Sequence, residues 1–141
     1  WRDTLDINLL APMYLSQGVL PSMKSSGSGH IVNISSNAAK VPLDANLSSY
    51  SASKYGITAF SAALRKELAS YGVRVTVIEP GTTETEVAES IPDDNARGFI
   101  DACIHKEIVM KADDIAEAIF YAVNQPERVN VNEVWLTPTR Q

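Results

Sequence analysis

The hydrophobic positions of this chain switch repeatedly between a helical and a strand period. From Trp1 to about Met23, Leu5, Leu9, Leu15 and Val19 are among the apolar positions of a helical pattern. Pro12 lies inside that stretch. A proline withholds the donor that the carbonyl four residues earlier would use, here that of Asn8, so a kink or an inserted water is expected there. Ser25 to Gly29 (SSGSG) reads as a turn and His30 to Ser35 (HIVNIS) as a short strand. A loop with Pro42 and Asp44 as breakers leads to a long helix, capped by Ser48 or Ser49 and ending near Tyr71. Ile57, Phe60, Leu64, Leu68 and Tyr71 form its apolar stripe. Ala52, Gly56, Ala59, Ala62 and Ala63 give it a small-residue surface suited to close helix packing, and Gly72 closes it. Val73 to Glu79 (VRVTVIE) is a β-branched strand stopped by Pro80 and Gly81. Residues 82 to about 111 are polar and irregular, with a short helix near Ala96 to Ile104. A further helix spans Ala112 to Pro126, capped by Asp113 or a neighbour, with Ile115, Ile119 and Val123 on one face. A third strand lies within Val129 to Pro138.

Helices alternating with strands through long crossovers predict an α/β fold with a parallel sheet. Three strands are few for such a sheet, and its outer edge is expected to be bare. The opening at Trp1 already reads like the inside of an element. The expected organisation is therefore one partial domain over residues 1–141, the C-terminal part of a doubly wound parallel sheet without its N-terminal βαβ half. Composition narrows the function only slightly. A net charge of −5 with twelve scattered basic residues argues against a nucleic-acid surface. Cys103 is the only cysteine, so neither a disulfide framework nor a cysteine metal site forms within the chain. His30 and His105 have no metal-spaced partner, and no metal is expected. No apolar run approaches a membrane span of about 18 residues, and no signal peptide is visible. A cytoplasmic protein without a membrane partner is expected.

The stretch Tyr50 to Lys54 (YSASK) holds two candidate pairs. Tyr50 and Lys54 are four apart, on one face of the predicted helix. A free phenol is about one part in a thousand ionised at pH 7, so a tyrosine base needs its phenolate stabilised by about 4 kcal/mol. An ammonium one turn away supplies part of this, and a second positive charge supplies more. Ser51 and Lys54 instead match the S-x-x-K pattern of serine acyl transfer. That chemistry also needs a downstream S-x-N element and a K-T-G strand. Neither follows Lys54, and the SSN of Ser35 to Asn37 lies upstream. Ser36 ends a strand 14 residues before Tyr50. A hydroxyl at the carboxyl end of a parallel strand sits where α/β proteins place ligands, and it can stabilise a developing oxyanion. The same serine can equally satisfy loop backbone. IEPGTTETE forms a second such loop, with a glycine for close approach and threonines as donors.

Asn8 in DINLLAP, then GHIVNISS, YSASKYGITAFSAALRKELASYGVRVTVIEPGTTETEV and the final strand together resemble the short-chain dehydrogenase/reductase family. The match runs in order over essentially the whole chain. It implies an NAD(P)-dependent oxidoreductase that interconverts an alcohol and a carbonyl by hydride transfer. On that resemblance Tyr50 is the acid/base, and Lys54 lowers its pKa and binds the nicotinamide ribose. Ser36 orients the substrate oxygen. Asn8 holds a water in a proton relay to Lys54, with the carbonyl that Pro12 frees as an acceptor. Pro80, Gly81, Thr83 and Thr85 match the loop at the nicotinamide end, with Thr85 as its side-chain donor. Residues 86–111 correspond to a variable substrate lid.

The final VNVNEVWLTPTRQ resembles a subgroup of NADP-dependent dehydrogenases of small hydroxy acids or of unknown specificity, which favours NADP(H) over NAD(H). The family's habit implies a homodimer or homotetramer of the full-length protein, built on the helices bearing Asn8 and Tyr50. The interval from Ser36 to Tyr50 is one residue longer than the family's usual spacing, which a loop absorbs; Ser36 is chosen over Ser35 by motif. The glycine-rich first turn, the cofactor-selecting residue and the N-N-A-G stretch have no counterpart here, and these bind adenine, its ribose and the pyrophosphate. The chain alone is thus expected to be poor at turnover. Competing readings are a non-catalytic Rossmann-like interaction module and an epimerase or dehydratase acting through transient oxidation; the compact lid and chain end favour the simple reductase. His30 is expected in solvent at a strand mouth and His105 in the lid. Lys106 and Glu107 are expected to form a solvated pair, and Trp135 to pack rather than bind cofactor.

Overall fold

Pro12 shapes the first element. In the computed structural model, α1 (Arg2–Leu5) runs into a π-helical turn (Asp6–Leu10) and then into α2 (Ala11–Ser26). The Ala11 N–H bonds to the Asp6 carbonyl, five residues back rather than four. Pro12 has no N–H for the Asn8 carbonyl, so the irregularity expected at Asn8 takes the form of a wider turn. The structure describes residues 1–41, 47–85, 97, 98, 102 and 109–140. Pro42, Asp44, Cys103, His105, Lys106 and Glu107 lie outside these residues, as does most of the expected lid with its short helix.

β1 (Gly29–Ile34), α3 (Ser48–Leu68) and β2 (Val73–Pro80) follow, then β3 (Thr83–Glu84), β4 (Met110–Lys111), α4 (Ala112–Val123) and β5 (Glu133–Leu136). The main sheet is parallel in the order β1-β2-β5, with Gly29 opposite Val73 and Val77 opposite Glu133. With its flanking helices, this is part of a Rossmann-type α/β fold, as the alternating pattern predicts. β3 and β4 pair in parallel at the two ends of the lid segment, where the sequence suggested only irregular chain. Two-residue strands carry no period for a pattern to reveal.

One face of the sheet makes the core. Ile31, Val73 and Val75 pack against Leu64 and Leu68 of α3, and Leu20, Met23 and Phe60 close the cluster. Each fully buried Val or Leu contributes about 1.5–3 kcal/mol. On β2 the alternate position Arg74 reaches the end of α4, donating from Nη1 to the Gln125 carbonyl at 2.9 Å and from Nη2 to the Val123 carbonyl at 3.3 Å. β5 is shorter than Val129 to Pro138. Ahead of it, the Asn130 side-chain amide pairs with the Val75 N–H at 2.9 Å and the Val75 carbonyl at 3.0 Å. An amide side chain there does the work of a strand backbone.

Several local expectations change. Leu15 is 72% exposed and Val19 is exposed, because no described residue packs over that side of α2. Both line a groove of about 500 Å³ beside the outer edge of β1, which has no strand partner among the described residues. Tyr71 is exposed and lies under the Lys24 ammonium at 4.8 Å, and Val123 is exposed where Ala122 is buried. Trp135, expected to pack, is 54% exposed. His30 is partly buried, its Nε2 2.7 Å from Thr76 Oγ1, and burial lowers its pKa with help from the Arg74 charge. Neither Ser48 nor Ser49 caps α3, whose N-cap is Leu47; at α4, where a cap by Asp113 or a neighbour was expected, Asp114 accepts from the N–H of the N-cap residue Lys111 at 2.8 Å. Gly72 ends the helical segment at φ 69°, the left-handed conformation expected of it.

Candidate active site

Tyr50 and Lys54 occupy the first two turns of α3, which packs over the carboxyl end of β1. The Lys54 ammonium donates to the Ile34 carbonyl, the last of β1, at 3.1 Å. It lies 5.6 Å from the centre of the Tyr50 ring. Burial holds this ammonium below the usual lysine range. Ile34 O is its one hydrogen-bond partner among the described residues, so two of its N–H groups remain to meet a ligand.

Asn8 reaches this helix through an intermediary that the sequence reading did not single out as a site residue. Asn8 Nδ2 donates to Ser53 Oγ at 3.3 Å, and Ser53 Oγ donates to the Tyr50 carbonyl at 2.7 Å. Ser53 is fully buried. The approach is close because Gly56 has no side chain. A Cβ there would come within 2.9 Å of Leu9 Cδ2, on the π-turn that carries Asn8. The small-residue surface expected on α3 is used at that contact.

The two serines after β1 take different surroundings. Ser36 is buried and caps a 3₁₀ turn over Asn37–Ala39, accepting from the Ala38 N–H at 3.1 Å and donating to Asn37 Oδ1 at 3.1 Å. These are the loop contacts that any serine there would offer. Ser35 turns towards α3 and donates to the Lys54 carbonyl at 3.0 Å. On the next strand, Pro80 ends β2 opposite Leu136, and the Gly81 N–H bonds to the Leu136 carbonyl at 2.7 Å. Thr83 Oγ1 donates to the Gly81 carbonyl at 3.0 Å, and Thr85 follows β3. The structure thus links Asn8 to the Tyr50 backbone through Ser53, and separately ties Lys54 to the end of β1 through the Ile34 carbonyl. It sets Ser36 at the end of β1 and the Pro80 to Thr85 loop at the end of the neighbouring β2.

Ligands of open α/β sheets bind outside the carboxyl ends of the strands, where all of these residues gather. A parallel sheet with a Tyr–Lys helix over one strand end and a Pro–Gly loop on the next defines a class, and the chain belongs to it: it is a member of the short chain dehydrogenase family, whose model matches residues 1–96. It is 41% identical, over 98% of its length, to an uncharacterized oxidoreductase of Staphylococcus saprophyticus, of which it covers 54%. Among solved structures it resembles serine dehydrogenase from Escherichia coli with a TM-score of 0.81 and 30% identity, all of this chain matching 54% of that one. A closed form of serine dehydrogenase complexed with NADP+ matches with a TM-score of 0.84 and 32% identity, over 97% of this chain and 55% of that one. The chain therefore spans about half the length of the curated relatives it matches. Among the described residues, no helix is long and apolar enough to cross a membrane, and no group of three or more His, Cys, Asp or Glu gathers as for a metal ion.

Proposed function

We propose that a full-length protein containing this chain is an NAD(P)-dependent oxidoreductase that interconverts a small alcohol and its carbonyl by hydride transfer. The observation that carries this reading is the Lys54 ammonium, hydrogen-bonded to the end of β1, beside the Tyr50 ring, with N–H groups to spare. That donor set fits the vicinal hydroxyls of a nicotinamide ribose. When bound, the nicotinamide supplies or accepts the hydride. Tyr50 gives a proton to the substrate oxygen or takes one from it, and the nearby ammonium favours its phenolate form. Ser36 orients that oxygen. Asn8 holds a water on the way to Lys54. Pro80, Gly81, Thr83 and Thr85 border the nicotinamide end, and residues 86–111 correspond to the family's variable substrate lid. Adenine, its ribose and the pyrophosphate fall to a part of the protein beyond this chain.

NADP(H) is favoured over NAD(H) by the C-terminal resemblance and by the NADP+ complex among the neighbours. A small hydroxy acid is favoured as substrate, since both of those neighbours are serine dehydrogenases. Exposed Ile7 and Tyr14 on the helix of Asn8 favour a homodimer or homotetramer. The test is transfer of deuterium from labelled NADPH or NADH to small keto acids by the full-length protein. A protein that binds neither nucleotide would end this reading. Within it, Ser36→Ala should lower kcat by about 10²-fold through loss of an oxyanion donor. Ser35→Ala should cost less. The reverse order would transfer the role to Ser35.

A further inference from the structure

The turn that carries Ser36 is fastened by charge. Lys40 follows that turn, and its ammonium meets two carboxylates: Glu79 Oε2 at 3.1 Å and Glu133 Oε2 at 2.6 Å. Glu79 is 0% exposed, on β2. Among the described residues, the Lys40 ammonium is what meets that oxygen. The hydrogen bond of Lys40 goes to Glu133, and this bond foremost holds the ammonium above the usual lysine range. A carboxylate withdrawn from water needs a compensating cation, and among the described residues Lys40 is the one ion-paired with it.

The other Glu79 oxygen faces the helix of Tyr50 and Lys54. Thr58, one turn beyond Lys54, donates from Oγ1 to Glu79 Oε1 at 3.1 Å and also lies 2.9 Å from Ser35 Oγ. Thr58 has a single hydroxyl proton for these two neighbours. Glu79 Oε1 and Ser35 Oγ compete for it. Ser35 also has a single proton, and it goes to the Lys54 carbonyl. Glu79 thus joins Lys40, which follows the Ser36 turn, to Thr58 and Ser35 behind Lys54. Neither Lys40, Glu79 nor Thr58 belongs to the set read from the sequence.

We propose that Lys40, Glu79 and Thr58 form a positioning network that locks the Ser36 turn to the Tyr50–Lys54 helix and so sets the rate of the reaction proposed above. All three act through the residues they hold. The idea rests on the hydride-transfer reading, and two features separate it from a merely structural role. The loss falls on kcat while nicotinamide binding stays, and the charge, rather than the bulk, of residue 40 matters.

The experiment uses the full-length protein with NADPH and whichever keto acid it reduces. Lys40→Met should lower kcat by about tenfold to 10²-fold, the cost of misplacing a reacting group by about an ångström. The KM for NADPH should stay within about twofold, and Lys40→Arg should recover most of the rate. Thr58→Val keeps the shape of the side chain and serves where Lys40→Met folds poorly; it should lower kcat several-fold, again at constant KM. Well-folded Lys40→Met and Thr58→Val proteins with unchanged kcat would overturn the network. So would a loss that Lys40→Arg does not recover. Tyr50→Phe, run alongside, separates the two claims. Full activity there removes the acid/base role of Tyr50, and with it the role of the helix this network is proposed to hold in place. An inactive Tyr50→Phe beside a fully active Lys40→Met removes the network alone.

Discussion

Tyr50→Phe in the full-length protein is expected to lower the rate of hydride transfer by about 10²- to 10⁴-fold, the usual contribution of a positioned acid or base. The substitution deletes one oxygen and little else. The Tyr50 bond that the structure shows within the chain runs through its backbone carbonyl, which accepts from Ser53 at 2.7 Å. Phenylalanine keeps that carbonyl, and it keeps a ring beside the Lys54 ammonium, now 5.6 Å from the ring centre. Melting temperature and NADPH affinity should therefore stay near their original values. A loss confined to kcat marks an interaction made in the transition state. Single-turnover measurement with deuterated NADPH checks that the lost step is hydride transfer rather than product release. Retained activity would take the acid/base role away from Tyr50.

That Tyr50 and Lys54 share a helix face was legible because both ends of the argument are local. A spacing of four on a strongly patterned helix fixes the face whatever packs around it. The β-branched run from Val73 to Glu79 and the stripe of Ile57, Leu64 and Leu68 made the parallel sheet and its covering helix readable in the same way. Pro12 told on Asn8 because a proline acts on a carbonyl four residues away. What stayed hidden depends on residues far apart in sequence. Lys40 meets Glu133 across 93 positions and His30 meets Thr76 across 46, and no period links either pair. The exposure of Leu15 and Val19 follows from what packs over α2, which a helical pattern cannot tell. Ser53 lay within reach: it is three residues from Tyr50 on a helix, and a small polar residue there is well placed to meet a neighbouring element.

Lys54→Met should lower the rate by about 10³-fold, the upper end of what one nearby cation gives a phenolate. It should also change how stability responds to pH, and the sign follows from burial. The Lys54 ammonium is held below the usual lysine range because burial disfavours its charged form. Between its folded value and the usual range, the unfolded chain holds a proton that the folded chain has released. The unfolded state then binds more protons, so stability rises with pH across that interval. At lower pH both states are protonated, and the folded form carries the full cost of a buried cation. Lys40 acts with the opposite sign, since its value is raised: its contribution is complete below the usual lysine range and is lost as pH climbs from that range through its folded value. Both proteins share Lys40, so it cancels in the difference between them. Urea midpoints of the wild-type and Lys54→Met proteins, measured at a series of alkaline pH values, should converge or diverge by the contribution of Lys54 alone, with the wild type gaining relative to the variant as pH rises. Parallel curves would mean that the Lys54 ammonium is not buried. A variant that loses the rise yet keeps its activity would confine Lys54 to structure and leave Tyr50 without its partner.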